Sequence, residues 1–439
     1  MRKSVQIETR LHNLVLKNQA DSYEDFREIC NKIQHSNAKY AGEYVQTLYD
    51  PHFWDSTDIF CFKNLNEILT SICNKTIKRY LENKDFRKNF KFSKSLEKLI
   101  DIDPGYKNYF PMARYDIFYT DPSNYKLCEI NTDGTSAMNE TNTLEKIFLE
   151  SKIIKFLKNY YRIKYYELFN SWLQELLVIY KEFGGNNKPN IAIIDFEGLG
   201  THEEFITFQK CFKEHGYNTI IADPRELVYE NNVLYYKDFA IDLIYRRAVT
   251  KEAEKRIKEI KPLIAAYRNK DVCMVGPFRS QIIHSKVFFA VIKNKNLNDY
   301  LSPEEKEFVK NYIPETYIFD KEKHLIKAKK EKDSFVLKPF DKYSARGVFI
   351  GKNYSDDEWK KIANDCFEKD DYLLQEFCPP PQKEYTVFKD KEPQLEKYNS
   401  TLGLFIYNEK FKGLYSRIGK NLVIGGSVGY KVLPNFFIK

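Results

Sequence analysis

Apolar and polar positions alternate along two short runs, residues 115–120 and 125–130, on either side of the turn signal Asp121-Pro122-Ser123-Asn124. A period of two across such a turn predicts a β-hairpin. Symmetric pairing sets Arg114 opposite Asn131, Asp116 opposite Glu129 and Phe118 opposite Leu127, and alternation places all six on one face. Elsewhere the period changes. Residues 1–100 carry mixed three- and four-residue spacings, as in 44–48 and 65–72, and predict a helical supporting region. Residues 145–183 read as one helix, ended by Gly184-Gly185.

From Pro189 the pattern becomes that of an open α/β lobe. The apolar run 190–195 reads as a buried strand, followed by the loop 197–201, an amphipathic helix to about His215 and a second strand at 218–222. A hairpin-like pair near 234–236 and a strand at 241–247 complete a Rossmann-type segment. It contains no Gly-x-Gly-x-x-Gly, so no dinucleotide cofactor is expected. Beyond Tyr317 strands alternate with sharp turns. Residues 335–339 form a strand carrying Lys338, the return strand is 348–351, and the loop between them spans 340–347. Residues 356–369 read as an amphipathic helix, and 372–377 as a strand leading into Cys378-Pro379-Pro380-Pro381.

Composition narrows the class. With 439 residues and 43% hydrophobic positions the chain can bury a large core, and no apolar run is long enough to span a bilayer. The first fifteen residues lack the uninterrupted apolar core of a signal peptide, so a cytoplasmic location is expected. Eight cysteines without a CxxC spacing argue against a zinc ribbon or a disulfide framework. The net charge of +8 arises from 70 basic and 62 acidic residues dispersed along the chain. Such dispersal favours small anionic substrates over a nucleic-acid footprint.

The candidate chemistry sits on the hairpin. Two ionised carboxylates with facing Cβ atoms about 5 Å apart repel by about 3 kcal/mol at an effective dielectric of about 20, so Asp116 and Glu129 call for a positive partner. Asp, Glu and Asn offer only hard oxygens, which suits Mg²⁺. An ordinary solvated strand pair is the plainer alternative. Lys338, at a strand end beside a loop, can place its ammonium on a polyphosphate, and the chain leaving the sheet after Phe377 exposes backbone groups that can read an adenine edge.

Together, Lys338, the strand at Gln375-Glu376 and the Glu129-x-Asn131 hairpin resemble the ATP-grasp superfamily, which joins a carboxylate to an amine through an acyl phosphate. Here the Glu-x-Asn precedes the lysine by about two hundred residues, an order similar to the circularly permuted branch that includes glutathionylspermidine synthase. Residues 242–247, 266–270, 277–280 leading to Lys286, and 413–417 agree, so the resemblance covers about residues 100–439. It implies an α/β architecture of α+β lobes: a helical region at 1–100, a permuted segment with the metal hairpin at 101–186, a Rossmann-like lobe at 187–275 and nucleotide-binding lobes at 276–439.

It also implies ATP and Mg²⁺, small-molecule or peptide carboxylate and amine substrates, and no nucleic-acid or membrane partner. Asp116, Glu129 and Asn131 would hold the metal, and Arg114 and Arg417 would contact the phosphate or acyl phosphate. Lys286, Lys338, Arg346 and Gly347 would bind nucleotide phosphates, with Gln375, Glu376 and Phe377 along the adenine. Loops 132–142 and 195–201 leave strand ends as candidate substrate walls. One departure stands out: the loop 341–347 has a single Gly, with Ser344 and Ala345 limiting close backbone approach. That departure also suits a nucleotide-binding scaffold without turnover.

Overall fold

The computed structural model describes residues 2–40, 42–341, 346–425 and 429–439. The hairpin forms from Met112–Asp121 and Asn124–Asn131. Asp121 Oδ1 accepts from Ser123 N at 2.8 Å and tightens the turn. Arg114 faces Asn131 and Asp116 faces Glu129, as alternation predicts. The third pair differs: Ile117 faces Leu127 and Phe118 faces Lys126, because a β-bulge inserts Cys128 beside Glu129. The bulge keeps Leu127 in the core with Ile117 and adds Cys128 to the wall of a cavity.

The hairpin edges a six-stranded antiparallel sheet. Its order is Lys431–Leu433, Lys410–Gly419, Glu392–Tyr407, Met112–Asp121, Asn124–Asn131, with Gln382–Lys389 paired to the first half of Glu392–Tyr407. Glu129, Asp116, Gly403 and Tyr415 therefore form one row across four strands. The opposite face carries Tyr115, Ile117, Leu402, Leu404 and Ile406, in one core with Phe62, Leu65 and Leu69 of the helix Ser56–Glu82. At roughly 1.5–3 kcal/mol per buried side chain, that face fixes the sheet and leaves the other to carry charge.

Two further sheets complete the frame. Four parallel strands in the order Cys273–Val275, Leu243–Arg246, Ile191–Ile194, Thr219–Ala222 form the expected Rossmann-type layer. The run expected as one strand at 241–247 is divided at Asp242, whose Oδ2 accepts from Asn190 N at 2.8 Å. Thr316–Ile318, Tyr372–Glu376, Phe335–Pro339 and Phe349–Ile350 form an antiparallel sheet packed through Phe335, Leu337 and Leu374 on Ala328, Trp359 and Ala363 of two helices.

The single helix expected over 145–183 is three helices, Met138–Leu149, Lys152–Leu157 and Phe169–Phe183, with a short strand Ile163–Lys164. Ser151 starts a new helix by accepting from Ile154 N, and Asn142 Oδ1 turns the chain by accepting from Leu168 N at 2.7 Å. Ile163–Lys164 pairs with Asn435–Ile438, which also pairs with His52–Trp54, so distant parts of the chain share this small sheet. No helix among the described residues is long and apolar enough to cross a membrane.

Candidate active site

The row across the central sheet opens into a cavity of about 470 Å³. Asp116, fully buried, is clamped by two guanidinium groups. Arg114 Nε donates to Oδ1 at 2.6 Å and Arg114 Nη2 to Oδ2 at 3.0 Å, while Arg417 Nη2 donates to Oδ2 at 2.6 Å. Asn131 Nδ2 donates to Asp116 Oδ2 and Glu129 Oε1, both at 3.3 Å. Lys286 Nζ lies 3.5 Å from Glu129 Oε2. Burial pushes the Glu129 carboxyl up, but Lys286, Arg417, Lys338 and Arg114 together outweigh it and hold the group well below the usual carboxylate range. The positive charge that the facing carboxylates require thus comes from the protein's own cations.

Gly403 makes room for this cluster. A Cβ there would lie 2.7 Å from Arg114 Cδ and 3.0 Å from Asp116 Oδ1. An isolated Gly within a strand pattern is the one sequence signal of such a close approach.

The same cavity is walled by Lys286, Lys338, Gln375, Glu376 and Phe377, the residues expected around a nucleotide. Burial lowers the Lys338 ammonium, against the pull of Cys128 and Glu129. Gln375 is held by Nε2 donating to Thr316 Oγ1 at 2.9 Å, and Glu376 Oε2 accepts from Glu315 N at 3.0 Å. Arg346 is exposed and Gly347 turns at φ +74°, and neither is among the described residues lining the cavity. Ser344 and Ala345 of the glycine-poor loop lie outside the described residues.

Both candidate substrate loops reach the same cavity, through Asp133 to Ala137 and through Asp195, Leu199, Gly200 and Thr201. The Rossmann-type layer holds the first of them. Arg246 Nη2 donates to Asp133 Oδ1 at 2.9 Å, and Thr250 donates to Asp133 through N at 2.6 Å and Oγ1 at 3.0 Å. Arg247 donates to Thr135 O and pairs with Glu204 at 2.9 Å.

Two acids here were not singled out by sequence reasoning: Glu140, which takes a hydrogen bond from Tyr415 at 2.9 Å, and Asp195 itself within its loop. Burial is the largest cause pushing Glu140 up to about 7 and Asp195 up to about 6. Neither makes a salt bridge among the described residues; Glu140 accepts from the Tyr415 and Tyr430 hydroxyls and Asp195 from Phe196 N, and both line the cavity. Gly200 again marks the spot, since a Cβ there would lie 2.2 Å from Asp195 Oδ2.

The donor set fits a hard divalent cation in part. Glu129 is ionised and about a third exposed toward the cavity, and Asn131 stands beside it, so these two fit. Asp116 differs, because Oδ2 already takes three donors and Oδ1 takes one, which leaves it less acceptor capacity for a cation than Glu129 has. Two protein oxygen donors leave most of an octahedral shell to phosphate oxygens and water, as is usual for Mg²⁺.

No family model and no curated protein matches the chain. Among solved structures, a glutathione synthetase like-effector from Globodera pallida superposes over 97% of this chain and 97% of its own, with a TM-score of 0.57 at 12% identity. The chain has a mixed α/β, ATP-grasp-like fold. Partial overlaps occur with D-alanyl-alanine synthetase A from Vibrio cholerae O1 biovar eltor, covering 57% of this chain and 88% of that one (TM-score 0.30, 11% identity), and with a D-cycloserine synthetase, covering 56% and 90% (TM-score 0.29, 9% identity).

Proposed function

We propose that this protein is an ATP- and Mg²⁺-dependent carboxylate–amine ligase of the circularly permuted ATP-grasp type. The observation that carries the reading is one cavity walled both by Lys286 and Lys338 beside the strand end Gln375 to Phe377 and by the Arg114–Asp116–Arg417 cluster. In this reading Gln375, Glu376 and Phe377 border the base, and Lys286 and Lys338 meet the phosphates, with Arg346 and Gly347 in the adjoining loop. Glu129, Asn131 and Asp116 would hold Mg²⁺. When bound, the metal supplies neutralisation of phosphate charge. The hairpin-before-lysine chain order supports the permuted assignment.

The substrate carboxylate oxygen attacks the γ-phosphorus and ADP leaves. Arg114 and Arg417 offset the charge that accumulates on the transferring group. A neutral amine nitrogen then attacks the acyl carbon, phosphate leaves, an amide forms and the amine gives up a proton. No protein nucleophile takes part. The test is release of ADP and phosphate that requires both a carboxylate and an amine in a substrate screen; AMP and pyrophosphate would overturn the acyl-phosphate route.

A second reading, a nucleotide-binding scaffold of the same fold, is favoured by one observation, the single Gly in the loop 341–347. Calorimetric binding of Mg²⁺–ATP with no turnover in that screen would select it.

A further inference from the structure

Tyr415 stands next to Gly403 in the row that carries Asp116 and Glu129, and is buried at 2% exposure. Its ring lies beneath both arginines of the cluster, 5.2 Å from Arg114 Cζ and 5.3 Å from Arg417 Cζ, within the range where a ring face attracts a guanidinium. The hydroxyl is anchored as well. It donates to Glu140 Oε2 at 2.9 Å, and Tyr430 donates to the same oxygen at 3.4 Å. Glu140 lies in the first turn of the helix Met138–Leu149, where the exposed amide end of the helix favours an acceptor.

We propose that Tyr415 is a positioning residue: the Glu140–Tyr415 hydrogen bond fixes a ring whose face seats Arg114 and Arg417 at the wall of the cavity. The role attributed to the arginines rests on the ligase reading; the seating itself does not. Asp116 can orient the two guanidinium groups only while it binds them. An incoming phosphate or cation competes for those same contacts, whereas the ring face is untouched by that exchange. Long arginine side chains lose considerable rotamer freedom when held, and a buried ring on a paired strand supplies a fixed surface for both at once.

The test uses the full-length protein with Tyr415→Leu, which removes the ring, and Tyr415→Phe, which keeps the ring and removes its anchor. Side-chain Nε–Hε signals of ¹⁵N-labelled arginine report the seating, with Arg417→Lys providing one assignment. In the wild type, ring current should shift the Arg114 and Arg417 signals upfield. In Tyr415→Leu they should return toward the position of exposed arginines, and in Tyr415→Phe they should stay shifted but broaden. In steady-state kinetics, Tyr415→Leu should lower kcat at least tenfold with the KM for ATP within about twofold, and Tyr415→Phe should lower kcat less. Signals unmoved in a folded Tyr415→Leu protein, or kcat retained within twofold, would overturn the proposal. A wild type that turns over no substrate pair would defeat the ligase reading instead, and the arginine signals would still decide the seating.

Discussion

Gly403 faces Asp116 across the central sheet, and the space its missing Cβ leaves is filled by Arg114 Cδ at 2.7 Å and Asp116 Oδ1 at 3.0 Å. Gly403→Ala should therefore push the Arg114–Asp116 pair out of register. Overpacking of this kind costs about 1–3 kcal/mol. We expect a fall of several degrees in Tm, and a loss of ligase rate of at least tenfold at a temperature where the variant is fully folded. A folded variant with full rate would mean that the arginine–aspartate geometry is not needed for turnover.

Glu129 reverses an expectation drawn from the hairpin alone. Two facing carboxylates imply that Glu129→Gln relieves repulsion, yet Glu129 lies among Lys286, Arg417, Lys338 and Arg114, which hold it ionised. Removing it leaves those cations without their shared acceptor, and at this partial exposure the variant should lose about 1–3 kcal/mol at pH 7. A carboxyl held below its ordinary value contributes stability above the unfolded value near 4.5 and loses it as pH falls, so the deficit should shrink below about pH 4.5. Thermal melts across pH read this sign. Stabilisation by Mg²⁺–ATP should be lost in the same variant.

Glu140 carries the opposite sign. Burial pushes its carboxyl up to about 7 from an ordinary 4.5, so the native state binds a proton that the unfolded chain has released between those values. Stability should fall as pH rises through that window, by on the order of 3 kcal/mol. Glu140→Gln does not titrate and keeps an acceptor for Tyr415. Its Tm relative to the wild type should climb from pH 5 to pH 8; a constant difference would show that Glu140 titrates normally.

Asp133 ties the candidate substrate loop to the parallel layer through Arg246 and Thr250. Asp133→Ala strands the Arg246 charge at 2% side-chain exposure, and breaking a buried pair in this way costs about 3–5 kcal/mol. Urea unfolding should show a lower midpoint with an unchanged slope. A midpoint within error of the wild type would mean that Arg246 finds full compensation from Gly276 O and Ala248 O.

What was legible in the sequence is what depends on neighbours in the sequence. The Asp116–Glu129 and Arg114–Asn131 pairs follow from period-two alternation about a four-residue turn, and the strands around Lys338 and Gln375 follow from apolar runs bounded by loops. The Cys128 bulge does not, since an inserted residue leaves the local pattern almost unchanged. Ile163–Lys164 was hidden inside a helical reading because its partner is Phe437–Ile438, far along the chain. Glu140 and Tyr415 fall in segments 132–142 and 413–417, but their contact was silent for the same reason: one sits on a helix and the other on a strand, and only the packing of Met138–Leu149 against the sheet brings them together. Asp116 illustrates the reverse limit. Its need for a positive partner was readable, but that Arg417, three hundred residues away, helps supply it was not.

The most direct measurement of the central claim follows oxygen. A carboxylate substrate found in the ligase screen is labelled with ¹⁸O in its carboxyl group, the full-length protein is given Mg²⁺, ATP and the amine, and the released phosphate is analysed by ³¹P NMR. An acyl-phosphate ligase transfers one carboxyl oxygen to phosphorus, so the phosphate should carry one ¹⁸O and its signal should move upfield. Unlabelled phosphate, or ¹⁸O appearing in AMP, would contradict the mechanism assigned to this cavity.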